Sequence, residues 1–193
     1  MREVNGASKK EQTRERILRA AARAIRRHGY EGVGVADVMK EAGLTHGGFY
    51  GHFESKDDLE VQACARALAR TSERWNAVAA NAAEAPLDAL LDSYLSGRHR
   101  DGTGEGCIYA ALAADVARQE NPTLRRRFTE GLRSSIDTLV RIIPGRSRAA
   151  RRQKALACLS TLVGALILAR AVDDAELSDE ILAAARALWR EPS

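Results

Sequence analysis

Residues 44–60 read LTHGGFYGHFESKDDLE, and the fold is decided there. Thr45 is a hydroxyl residue placed to cap a helix, His46 to His52 makes one very short helix, and Ser55 with Asp58 three positions on caps a longer one reaching about Asn81. Phe49 and Phe53 turn inward and hold the short helix on Ile25 and Val38. Immediately upstream, Val35, Val38 and Met39 make a helix of barely two turns. It ends at Ala42-Gly43, where glycine takes the left-handed backbone that a helix C-terminus favours. Before that, Ile17, Leu18, Ala21, Ala22 and Ile25 form one apolar stripe between a Ser8/Glu11 capping box and a stop at Gly29, predicting a helix over 9–28. Two short helices joined by a glycine turn and flanked by long ones make a helix-turn-helix head.

Downstream of Pro86 the spacing predicts helices over about 87–97, 106–119, 122–143, 147–171 and 177–190, with Gly97 to Gly106 the most irregular segment. Four prolines in 193 residues and almost no strand-type alternation make the chain all-α. About nine helices are expected: a head over 1–56 and a larger helical body over 57–193. A hydrophobic share of 45% supplies a real core, which excludes global disorder.

Residues 1–56 hold 11 of the 30 Lys and Arg and 7 of the 26 Asp and Glu, so the head carries the whole net charge of +4 and the body nets zero. Such an excess suits either a nucleic-acid-binding head or an ordinary solvated face. Residues 1–30 are charged every few positions, so no secretory signal is expected. The longest charge-free apolar stretch, Ala155 to Ala169, is fifteen residues. A bilayer needs about 20, so a buried helix is expected and not a membrane partner. Three cysteines at irregular spacing (Cys64, Cys107, Cys158) fit neither a disulfide framework nor a zinc cluster, and point to a reducing cytoplasm. Four scattered histidines, no phosphate loop, no nucleophile elbow and no paired-carboxylate motif leave no basis for an enzyme, a cofactor or a metal site.

Ile17 to Ala22, Gly29-Tyr30, Val38, Ala42-Gly43-Leu44-Thr45, Gly47-Gly48-Phe49-Tyr50-Gly51-His52-Phe53 and Ser55 to Leu59 together resemble the DNA-binding domain of TetR-type bacterial transcriptional regulators. The resemblance covers about residues 13–60 and is specific, because core, turn and phosphate-contact positions occur in one order. It implies a homodimer on a palindromic double-stranded DNA operator, released when a small-molecule inducer binds the second domain, with repression the usual outcome. Tyr50 and His52 match the family's phosphate-contacting pair, and Thr45 and His46 lie where base edges or phosphates are met. Lys56 adds a cation at a helix N-terminus that already favours anions. Gly47 and Gly48 are costly in so short a helix, and close backbone approach to DNA is the use expected of them. Gly34 and Gly48 stand where the family often has Ser or Thr, so specificity falls more on Thr45, His46 and a basic arm containing Lys9, Lys10 and Arg14, which either enters a minor groove or frays. The alternative is a helical dimeric small-molecule receptor without sequence-specific DNA binding.

For the effector cavity the candidates are Trp75, Tyr94, Tyr109, Phe128 and Leu132, each also readable as plain core. Cys107 follows Gly104-Glu105-Gly106 and opens a helix, where a thiolate would be stabilised. A Gly-Cys at this position also resembles TetR-type regulators that sense electrophiles or oxidants through a thiol. The other reading of Cys107 is a small buried apolar residue. The last two helices are apolar enough to need cover from a second copy, and Leu159, Leu162, Val163, Leu166, Ile181, Leu182, Ala185, Leu188 and Trp189 are the expected interface of a four-helix bundle. An internal core helix followed by an amphipathic one is the alternative.

Overall fold

The capping box forms at the expected place. In a computed structural model that describes residues 8–190, the Glu11 N–H donates to the Ser8 hydroxyl at 3.2 Å and the Ser8 N–H donates to Glu11 Oε2 at 2.7 Å. Helix α1 (Lys9–His28) follows, its stripe Ile17, Leu18, Ala21, Ala22 and Ile25 buried, and stops at Gly29, whose φ of 72° a side chain would strain. Helix α2 (Val35–Glu41) buries Val38 and Met39, and the turn after it carries Gly43 at φ 68°. Gly34 sits at the α2 N-cap without a side-chain bond, so this helix start lacks the hydroxyl that usually holds it.

The very short helix expected over His46 to His52 forms as a 3-10 helix, His46–Gly51. Glycine at 47, 48 and 51 weakens the α alternative, and the Thr45 hydroxyl makes no capping bond to rescue it. Helix α3 (Lys56–Asn81) starts where Ser55 accepts from the Asp58 N–H at 3.1 Å, and packs along both α1 and α7 (Pro122–Ile142). Helix α4 (Pro86–Tyr94) ends three residues short of expectation, because Ser96 caps a new helix, α5 (Gly97–Asp101), by accepting from the His99 N–H at 3.2 Å. The glycine-rich segment is therefore more ordered than its composition suggests. A 3-10 turn (Thr103–Glu105) leads from it into α6 (Ile108–Arg118). Helices α8 (Arg148–Ala171) and α9 (Ala175–Ala187) complete an architecture without strands among the described residues.

Helix α8 packs against α6, α7 and α9, burying Leu159, Leu162 and Leu166, while α9 buries Leu182 and Ala185. These five residues belong to the chain's own core, which corrects their expected place at a surface between copies. Helix α8 is apolar on both sides, so composition does not reveal which stripe faces inward. The outward stripe holds Leu156, Ile167 and Leu168 on α8 with Leu177 and Leu188 at the two ends of α9, all exposed; Val163, Ile181 and Trp189 are half-buried beside it. A Cβ on Gly164 would meet no atom within 4 Å among the described residues, so the α8 surface is open there. By length and composition α8 is also apolar enough to cross a membrane, beyond the fifteen-residue stretch read from sequence. Its N-terminal turns nevertheless carry Arg148, Arg151, Arg152 and Lys154, and one of its faces is core.

Candidate functional site

Phe49 and Phe53 anchor the 3-10 helix from beneath. They are 1% and 2% exposed, with ring centroids 5.7 Å apart. With these rings facing inward, Thr45, His46, Gly47, Gly48 and Tyr50 face out, Tyr50 at 72% exposure. A Cβ at Gly47 would meet nothing within 4 Å, and one at Gly48 only Met39 Cε at 3.6 Å, so internal packing requires glycine at neither position. His52 is half-buried, and its Nδ1 is buried with no hydrogen-bond partner among the described residues. Lys56 pairs with Glu60 at 3.5 Å; burial pushes the Glu60 carboxyl up despite that cation.

Lys9, Lys10 and Arg14 of the basic arm lie in the first two turns of helix α1. Arg14 stacks over the Phe53 ring, 5.3 Å from its centroid, and donates to Gln62, so this guanidinium braces the head internally. Lys9 and Lys10 remain exposed.

A cavity of about 430 Å³ lies between α1, α3, α4 and the Glu105–Cys107 segment. Trp75 and Tyr94 line it edge to face at 5.8 Å, and Tyr94 packs in the same way on His99 at 4.6 Å. His99 Nδ1 donates to the Tyr94 carbonyl at 2.7 Å, and burial lowers its pKa to about 4, so the ring is neutral near pH 7. Of the candidates read from sequence, Trp75, Tyr94 and Cys107 line this cavity; Tyr109, Phe128 and Leu132 do not. Tyr109 is core, sharing a 2.8 Å hydrogen bond with Ser135 and packing edge-on to Phe128.

Arg26, Arg70 and Arg74 at the cavity were missed, as were His99 and Glu105. A signal existed on α3. Ala67, Arg70, Thr71, Arg74, Trp75 and Val78 recur at helical spacing on one face, and arginines interrupting an apolar stripe mark a polar lining.

Cys107 is the N-cap residue of α6 but only 3% exposed. Burial raises its pKa, outweighing the Tyr94 hydroxyl and the Ala110 and Tyr109 N–H groups that act the other way. Burial thus favours the protonated thiol, in keeping with the reading of Cys107 as a small buried residue. The Tyr94 hydroxyl lies beside it, and burial, with the thiol as a smaller cause, raises the phenol's pKa well above its ordinary value.

The loop forming one wall is tied to the head. Arg26 Nε donates to the Gly104 carbonyl at 2.6 Å, and the Glu105 carboxylate faces Arg23 and Arg26 at 3.8 Å and Arg70 at 3.9 Å. Cavity wall and helix α1 thus share charged contacts. Among the described residues no group of three His, Cys, Asp or Glu side chains is arranged to hold a metal.

Residues 17–63 match the family described as "Bacterial regulatory proteins, tetR family". The transcriptional repressor NemR of Escherichia coli (strain K12) is 27% identical over 128 residues, covering 65% of this chain and 60% of NemR. The chain spans about 37 to 60% of the length of the curated relatives it matches. The crystal structure of E. coli NemR in its reduced form superposes with a TM-score of 0.76 at 23% identity, over 92% of this chain and 95% of that one. A TetR transcriptional regulator from Chloroflexus aurantiacus gives a TM-score of 0.74 at 27% identity, over 93% and 94%. Residues 17–63 thus match the TetR-family N-terminal domain, and the chain that carries them has the fold of TetR-type regulators.

Proposed function

We propose that this chain is a ligand-responsive transcriptional regulator, a repressor acting as a homodimer on a palindromic operator. The observation that carries the reading is the outward face of the 3-10 helix. Thr45, His46 and Tyr50 are exposed on a scaffold fixed by buried Phe49 and Phe53, within the matched helix-turn-helix domain. Their donors suit phosphates and base edges, and glycine at 47 and 48 lets the backbone approach the duplex closely. His52 and Lys56 flank that face. The exposed apolar stripe of α8 and α9 is the natural seat of a second copy, which sets two heads about one turn of DNA apart.

The cavity under α3 and α4 is the effector site, and Cys107 serves as a wall contact for the inducer. Replacing Cys107 with Ser should shift the response to inducer; an unchanged response removes the cysteine from the site.

Fluorescence anisotropy on DNA from upstream of the chain's own gene, with random-sequence competitor and a salt series, tests the regulator reading. Competitor-resistant binding that weakens steeply with salt supports it, because phosphate contacts release counterions. If neither this DNA nor fragments recovered by genome-wide selection bind better than random sequence, the helical receptor without sequence-specific DNA binding is the reading that stands.

A further inference from the structure

Three guanidinium groups face the cavity, Arg26 from α1 and Arg70 and Arg74 from α3, against one carboxylate, Glu105. The neutral His99 adds nothing to the balance, so the cavity is cationic. Arg74 is occupied by Ser93 at 3.2 Å, but Arg26 and Arg70 meet Glu105 only at 3.8 and 3.9 Å, beyond hydrogen-bonding distance. Glu105 is itself half-exposed, whereas the Arg26 side chain is 7% exposed: a buried cation served by one carbonyl and a loose, solvated counter-ion. The aromatic faces of Trp75 and Tyr94 line the same space, and the buried Tyr94 hydroxyl lies beside the Cys107 thiol. Guanidinium groups and aromatic faces lining one space suit an organic acid with an apolar body.

We infer that the cavity takes an organic acid with an aromatic or otherwise apolar body, whose acid group replaces Glu105 at Arg26 and Arg70 while the body lies on Trp75 and Tyr94. A bound carboxylate accepts directly from two guanidinium groups that Glu105 reaches only at long range, so exchange improves their geometry. Displaced, Glu105 no longer holds the Thr103–Glu105 turn toward Arg23 and Arg26, and occupation of the cavity is felt at α1, the first helix of the head. The inference rests on reading this cavity as the effector site.

The test is calorimetric titration of the full chain, without DNA, with 1-naphthoate and its neutral counterpart 1-naphthamide. Quenching of Trp75 fluorescence in a Trp189→Phe background, which leaves one tryptophan of two, places the ligand. The acid is expected to bind at least tenfold more tightly than the amide. Arg70→Gln, at a half-exposed position that folding tolerates, should weaken the acid about tenfold and leave the amide unchanged. Glu105→Gln, which removes the competitor, should tighten the acid severalfold. Equal binding of acid and amide, binding of neither, or an Arg70→Gln protein that holds the acid as tightly as the parent overturns the inference. Because no DNA is present, the outcome is separable from the anisotropy assay. Acid binding by a protein that ignores operator DNA would keep the ligand class and remove the regulator reading; operator binding without acid binding would do the reverse.

Discussion

Arg26 Nε donates to the Gly104 carbonyl at 2.6 Å, joining the first helix of the head to the turn that walls the cavity, 78 positions away in sequence. The bond is charge-assisted and largely shielded from water, but the guanidinium has been desolvated to make it, and burial lowers the Arg26 pKa for that reason. The two effects oppose, so Arg26→Met, which keeps the aliphatic stem and leaves the carbonyl unpaired, is expected to cost only about 1 kcal/mol in urea denaturation. Its larger effect is local. Amide hydrogen exchange over residues 102–106 should speed up by about tenfold while the amides of α7 keep their protection.

Tyr50 and Phe49 are sequence neighbours with opposite roles, one 72% and the other 1% exposed. Tyr50→Ala should leave the thermal midpoint within a degree or two, yet weaken DNA binding in the anisotropy assay by about tenfold or more. Phe49→Ala empties the core under the 3-10 helix and is expected to cost about 3 to 5 kcal/mol, seen by circular dichroism as an early melt. A Tyr50→Ala protein that binds DNA as the parent does would move the reading face elsewhere.

Local chemistry made the head legible. Ser8 with Glu11, Ser55 with Asp58, Gly29 and Gly43 each act within a turn of where they stand, so their pattern in sequence is their role in structure. The short helix at His46–Gly51 is legible in the same way, but its 3-10 form is not, because three glycines tip a short segment between two helical forms that differ little in free energy. The inward side of α8 was missed for a different reason: Leu162 and Leu168 are equally apolar, and only packing against α7 and α9 buries the one and leaves the other 57% exposed. Likewise the cavity joins Arg26, Arg70 and Glu105 from three separate segments, a meeting that helical periodicity on any one of them does not encode.

His99 supplies a pH dependence whose sign is fixed by its burial. Its folded pKa of about 4 lies below the unfolded value near 6.5, so the unfolded chain binds more protons between those limits. Stability from this group is complete above the unfolded pKa and is lost as pH falls through 6.5 toward 4, amounting to about 2 kcal/mol between pH 7 and pH 5. Urea melts at those two pH values should show that difference in the parent. His99→Gln, which can still donate to the Tyr94 carbonyl, should abolish most of it. An undiminished pH dependence in the variant would assign the effect to another group.

The exposed stripe of Leu156, Ile167, Leu168, Leu177 and Leu188 is too extensive to stand as scattered surface leucines, since it runs along α8 and continues at both ends of α9. If a second copy covers it about a two-fold axis, each substitution acts twice, once from each subunit. Leu168→Glu therefore buries two carboxylates and withdraws two leucine side chains, each worth about 1.5 to 3 kcal/mol when fully buried. The expected result is a dimer weakened at least a hundredfold, read by light scattering across a concentration series, with helix content unchanged because the position is exposed within the subunit. Leu166→Glu, two residues away but fully buried in the chain's own core, should instead unfold it. Loss of the dimer in the first variant should also lower operator affinity steeply, because a single head keeps only half the phosphate contacts and a correspondingly shallower salt dependence. A Leu168→Glu protein that stays dimeric would take α8 out of the interface.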